Sequence, residues 1–176
     1  MKIYYIIFTL LLTSSHVIAQ ANYPVPKETP TRLFYIQHSN NHNTFVYDAN
    51  VIKDSINNDN PVHDYRIEYA DNGQVKPLSE IQKLMAYGLT ITYISPNLYE
   101  MYLAANKDKL LYLTLDKNLK PVVYTTINKR KMYLDKLFVQ IKADSSEFDP
   151  DVEYLLFIGT DFNTKKAVTE KYLIPE

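Results

Sequence analysis

The stretch PVHDYRIEY, residues 61–69, decides the fold class. Tyr65, Ile67 and Tyr69 fall on one side of an extended chain, and Asp64, Arg66 and Glu68 on the other. Such alternation marks a strand, because successive side chains of a pleated chain point to opposite faces. The pattern recurs in both directions from this stretch. Windows at 32–38, 44–49, 62–69, 89–94, 99–104, 110–115, 122–127, 133–141, 153–159 and 167–174 are rich in Tyr, Val, Ile, Thr and Phe, with turn-forming Asn, Asp, Lys and Pro between them. β-Branched and aromatic side chains suit a pleated, half-buried surface. Ten such windows predict an all-β, mainly antiparallel domain, either a sandwich or a barrel. LLYL (110–113) and YLLFI (154–158) are apolar on both faces, which calls for a second layer or closure of the sheet.

One segment breaks the pattern. Ser79 and Gln82 have the spacing of a capping box, and Ile81, Leu84 and Met85 recur at helical intervals. Gly88 stands where a left-handed cap would end the helix. These signals predict a single short helix over 79–87 that plugs a barrel end or crosses a sheet edge.

The chain opens as an address. Lys2 is followed by an apolar run over 3–12, then Thr13, Ser14, Ser15 and His16, and small residues permit a cut after Ala19 or after Ala21. This is the layout of a secretory signal peptide, and the run is about half the length of a spanning helix. The expected organisation is a signal peptide at 1–19, an extended, poorly packed Pro-containing leader at 20–31, and one β-rich domain over 32–176. No integral membrane segment remains after cleavage, and the expected location is the periplasm or the extracellular space.

Composition narrows the chemistry. Residues beyond the signal carry 18 basic and 20 acidic side chains, a net charge of −2, which disfavours nucleic acid as a partner. The absence of cysteine excludes disulfides, thiol catalysis and Cys-based metal sites. Three glycines cannot build a G-x-S-x-G elbow or a phosphate-cradling loop. His38 and His42 have a four-residue spacing, but Ser39, Asn40 and Asn41 between them read as a turn. The acidic stretches 54–60 and 144–153 lack the glycine of a calcium loop. Accordingly no metal, cofactor or catalytic residue is assigned. Lys129, Arg130 and Lys131 read as a solvated hairpin turn. The outstanding feature is tyrosine, 16 in the whole chain with no tryptophan. A phenol ring joins a broad apolar body to one hydroxyl, which suits amphipathic ligands and protein partners.

RLFYIQHSNNHNTFVYDAN (32–50), PVHDYRIEY (61–69), LSEIQKLMAYG (78–88) and VEYLLFIGTD (152–161) together resemble an uncharacterised family catalogued as domain of unknown function 4833. The resemblance implies a single exported or envelope-associated domain and brings no activity with it. Tyr35, Gln37, Asn43, Asp48, Tyr65, Tyr69 and Gln82 lie in these stretches and combine rings with amide or carboxylate groups. They are the candidate ligand-binding residues. The leading reading is a non-catalytic module that binds a small amphipathic molecule or an envelope component. A hydrolase of envelope material using strand carboxylates, and an adaptor that pairs edge strands with a partner, are the alternatives.

Intact mass of the protein from the envelope fraction should therefore begin at Gln20 or Asn22; full-length chain in the cytoplasm would refute the export reading.

Overall fold

The computed structural model describes residues 23–146 and 150–174; the predicted signal peptide and residues 20–22 of the leader lie outside them. All ten predicted windows are strands. In chain order they and three short additions are β1 Arg32–His38, β2 Asn41–Ala49, β3 Val51–Ile52, β4 Ser55–Ile56, β5 Val62–Glu68, β6 Gln74–Pro77, β7 Leu89–Ser95, β8 Leu98–Leu103, β9 Asn106–Leu115, β10 Pro121–Ile127, β11 Arg130–Ile141, β12 Val152–Asp161 and β13 Ala167–Leu173. β3 and β4 form a separate small hairpin. The protein is all-β, about 60% strand and 7% helical. Among the described residues no helix is long and apolar enough to cross a membrane.

The large sheet runs β6-β5-β2-β1-β11-β10-β9-β8-β7, with β12 and then β13 branching from β11. Among the described residues every pairing is antiparallel except one. β1 lies parallel to β11, with Tyr35 opposite Lys136 and His38 opposite Val139, so the sheet is mixed. β11 holds its neighbours in two halves. Residues 130–133 pair with β10 and residues 136–139 with β1, while β12 follows nearly the whole length on the other side. The exchange of partner coincides with a bulge between Leu134 and Lys136. An extra residue in one strand bends it and increases its twist. Here the bend sends β1 and β10 off at different angles, and the sheet curls around its own apolar face.

Opposite the bulge stands Gly159. A Cβ there would lie 1.9 Å from the Tyr133 carbonyl oxygen. No side chain fits, so the close approach of β12 to β11 requires glycine.

The curl is filled. Phe34 stacks on Tyr47 with ring centres 4.4 Å apart, and Phe45 on Tyr87 at 3.5 Å. Met101, Leu113, Ile127, Met132 and Leu134 from the other arm join the same cluster. Tyr47 donates its hydroxyl to the Tyr87 carbonyl at 2.7 Å, and the Tyr87 hydroxyl meets His38 Nε2 at 2.8 Å. Both tyrosine tips thus have partners, as burial demands.

The helix departs from expectation in three ways. Ser79 and Gln82 make both bonds of the capping box, but α1 is only Glu80–Gln82 and continues as a π-turn over Lys83–Tyr87. Gly88 is extended, not left-handed; it is glycine because a Cβ would sit 2.2 Å from the Lys83 carbonyl oxygen. The stripe Ile81, Leu84 and Met85 does not pack inward either. These side chains are 74%, 77% and 68% exposed, because the π-turn gives the inward position to Tyr87.

The leader is extended yet well seated over its described part. Tyr23 donates to the Ser39 carbonyl at 3.1 Å and lies edge-on to Phe138, while Pro26 is buried. It covers a small outer cluster of Phe138, Tyr154 and Leu156.

Replacing Gly159 with alanine should cost about 2–4 kcal/mol, as overpacking against backbone does. Denaturant unfolding reads this directly, and a change below about 0.5 kcal/mol would mean that the bulge yields freely. His38 gives a pH signature. Burial lowers its pKa from 6.5 to about 4, so the unfolded chain binds this proton at a higher pH than the folded one. Stability should be full above pH 6.5, fall as pH drops toward 4, and lose no more from this group below that. The whole difference is about 3 kcal/mol. His38→Asn should show a shallower fall between pH 7 and 4.5 in urea titrations; an unchanged slope would rule out His38 as its source.

Candidate functional site

The predicted residues divide into three places. Tyr35, Gln37, Asp48 and Tyr65 stand on the outer face of β1, β2 and β5, where the leader crosses it. Gln37 is 1% exposed and its amide nitrogen donates to Thr44 Oγ1 and to the Pro24 carbonyl, both at 2.8 Å. Asp48 accepts from Arg32 Nε at 2.6 Å and from the Tyr65 hydroxyl at 3.0 Å, and Tyr65 in turn accepts from Arg32 Nη2 at 3.2 Å. Thr29 donates to the same carboxylate at 3.4 Å, and Arg32 reaches the Lys27 carbonyl at 3.2 Å. This closed set of bonds ties the leader to the sheet. Tyr35 and Tyr69 flank it, and burial raises both phenol pKa values above the usual range. Burial, followed by the Asp48 charge, does the same to Tyr65.

The other two stand apart. Asn43 lies just beyond the β1–β2 turn, its backbone N–H donating to Asn41 Oδ1 at 2.9 Å. Gln82 is spent in the capping box.

Sequence reasoning passed over Lys136. It is 9% exposed beneath Tyr23, Tyr35 and Phe138, whose ring centres lie 5.3–5.8 Å from its ammonium group, and burial lowers its pKa. The ring faces hold the cation, and among the described residues no carboxylate pairs with it.

The histidine pair is split by the hairpin: His38 points inward to Tyr87, whereas His42 is exposed with Tyr23 edge-on at 5.0 Å. Among the described residues no three His, Asp or Glu side chains gather in a way that could hold a metal ion. In the stretch 54–60 the amides serve the fold, since Asn58 accepts from the Tyr99 hydroxyl and Asn57 from the Asp59 N–H. Residues 147–149 of the second acidic stretch lie outside the described residues.

A groove of about 570 Å³ opens elsewhere, where the two ends of the curled sheet face each other. Val62 and Asp64 of β5 form one wall, Leu89 and Ile91 of β7 the other, and Lys83 and Leu84 of the π-turn close one side. None of the seven predicted residues lines it. Glu80 and Lys107 add charge of both signs. Next to the groove Tyr93 and Ile94 are 53% and 51% exposed, and Ile81 and Met85 extend the apolar surface beyond Leu84. A sequence signal for this place existed in the apolar spacing of 81, 84 and 85, but the same spacing describes a buried helix face.

No curated protein and no solved structure matches the chain. A family model described as a domain of unknown function (DUF4833) matches residues 34–171, from β1 into β13, and so the chain belongs to that family.

Proposed function

We propose that this is an exported, non-catalytic binding module of the periplasm or extracellular space, and that its site is the groove at the seam of the sheet. The occupant is an amphipathic, extended segment of another envelope component. One observation carries the reading, namely the contrast between the edges. β6 ends the sheet with Lys76 and Pro77, and β13 with Glu170 and Lys171, the charged and proline-bearing edges that discourage pairing. β7, LTITYIS, ends it with no charge at all and, among the described residues, pairs only with β8. An added strand along β7 would satisfy its free backbone groups while its side chains meet Ile81, Leu84 and Met85.

The magnitudes suit a reversible contact. Covering three large apolar side chains contributes about 1.5–3 kcal/mol each, and association costs remove a large part of it. Micromolar affinity follows. The filled interior gives no comparable support to a small molecule enclosed within the curl.

A second reading has its own observation. Asp64 and Glu80 line the same groove, as a carboxylate-dependent hydrolase would need. Asp64→Asn separates the two, because it removes hydrolysis of an envelope polymer and spares strand addition.

A photoreactive residue at Tyr93 in exporting cells should give one discrete adduct, and the same residue at Lys117, on the β9–β10 turn and outside the groove lining, should give none. Leu84→Asp, at a 77% exposed position, should abolish the adduct while unfolding stays within about 0.5 kcal/mol of the parent. An adduct that survives Leu84→Asp and Ile81→Asp together would overturn the groove as the site.

A further inference from the structure

Away from the seam, the outer face of β9, β10 and β11 carries a row of aromatic rings. Register places Tyr112 beside Tyr124 and Tyr124 beside Tyr133. Tyr112 and Tyr124 stack at 5.2 Å; Phe162, from the turn after β12, meets Tyr124 at 6.0 Å and stacks on Tyr133 at 5.0 Å. Two lysines are set into this row. Lys131 Nζ lies 4.1 Å from the Tyr124 centroid and 4.0 Å from that of Phe162. Lys165 Nζ lies 4.5 Å from Tyr133 and 4.9 Å from Phe162, and donates to the Tyr133 hydroxyl at 3.4 Å. Phe162 thus has a cation against it from each lysine.

At the Tyr112 end of the row Glu100 accepts the Tyr112 hydroxyl at 3.1 Å, and the carboxylates at the lysine end are bonded to other groups. Glu170 accepts from Arg130 Nε at 2.8 Å and from Asn128 at 3.1 Å. Asp161 pairs with Arg130 at 3.9 Å and accepts the backbone N–H groups of Asn163 and Thr164 at 3.0 and 2.8 Å, and these bonds hold its pKa below the usual range. Those bonds also set the turn that presents Phe162, whose own N–H donates to the Lys131 carbonyl at 3.0 Å. The result is two ammonium groups fixed by aromatic faces, neither paired with a carboxylate among the described residues, with Lys129 and Lys166 close to them in the sequence. Of the stretch expected to be a solvated turn, Lys131 is therefore part of the sheet surface.

We infer that this row is a second binding site, for an anionic polysaccharide whose acidic groups meet Lys131 and Lys165. A cation–π contact holds an ammonium in place yet leaves its charge unneutralised, so an arriving anion gains a charge-assisted hydrogen bond at little ordering cost. Phenol hydroxyls of Tyr124 and Tyr133 stand in the same row to bond sugar hydroxyls. A lipid surface fits less well. Among the described residues, the large apolar side chains more than half exposed are scattered over the leader, β3, β6, the helical segment, β7, the β9–β10 turn and β13, and none belongs to the row, so the row itself offers no aliphatic anchor for insertion.

The test is affinity electrophoresis of the exported protein in gels cast with dextran sulfate or with unsubstituted dextran, alongside sedimentation with vesicles of phosphatidylglycerol in phosphatidylcholine. Dextran sulfate should retard the protein and neutral dextran should not. Lys131→Gln and Lys165→Gln should each weaken retardation about tenfold, the worth of one charged hydrogen bond. Phe162→Leu, which keeps both charges and removes the ring between them, should also weaken it, and Phe162→Tyr should restore it. A control pair, Lys117→Gln with Lys120→Gln at the far end of β10, should change it less than about twofold. An equal loss in the control pair would show general attraction to polyanions and overturn the site. Vesicle binding as tight as dextran sulfate binding, lost with Lys131, would assign the row to a membrane instead.

Discussion

At one point in β11 the strand changes partners, and the rest of the architecture depends on it. Before the Leu134–Lys136 bulge the strand belongs to the antiparallel meander β7 to β10, and after it to the parallel contact with β1. Those two arms have no other strand in common on that side. Gly159 makes the exchange sterically possible, since β12 must pass against the Tyr133 carbonyl where the bend is sharpest. The bend turns the two arms toward each other, and Phe34, Tyr47, Met101 and Leu113 meet in one cluster although they lie far apart in the chain. A curl made this way closes on one side only. The far ends, β5–β6 and β7, face each other across a gap, so the groove follows from the bend.

The strands were legible in the sequence because alternation is local. Each of the ten windows carries its own period-two signal, and the structure places a strand on each one. β6 was not, being four residues of mostly polar chain ending in proline, with no pattern long enough to read. The parallel pairing was illegible for another reason. Nothing in RLFYIQH announces a partner a hundred residues away, and its apolar run suits either orientation of pairing. Gly88 was noticed for its position and explained by a left-handed cap, whereas the actual constraint is a carbonyl 2.2 Å from its missing Cβ, a fact of the π-turn that no spacing encodes.

The candidate residues were legible as chemistry and not as geometry. Pairing rings with amides and carboxylates did find Asp48 and Tyr65, which bond each other, and Gln37, which bonds the leader. Those bonds use up the groups that made the residues attractive. Arg32 and Thr29, which complete the set, carried no signal of their own. The exposed stripe of Ile81, Leu84 and Met85 misled in the opposite sense, since apolar spacing reports that one face is unlike the other and leaves open whether protein or a partner covers it.

Packing for stability and room for an enclosed ligand would compete for the same space. A domain without cysteine has only its core to hold it, and this one fills the curl with stacked rings whose hydroxyls are bonded to each other's backbone and to His38. A cavity large enough for a ligand would remove some of those contacts, and cavities are costly in proportion to their volume. The recognition proposed for this protein therefore uses surfaces that the fold maintains without opening its core. The seam offers unpaired backbone and exposed aliphatic side chains, and the outer row offers fixed cations over rings. Tyrosine has two uses in the fold, inward as packing with a bonded tip and outward as a mount for charge, so an excess of tyrosine by itself distinguishes neither from a ligand site.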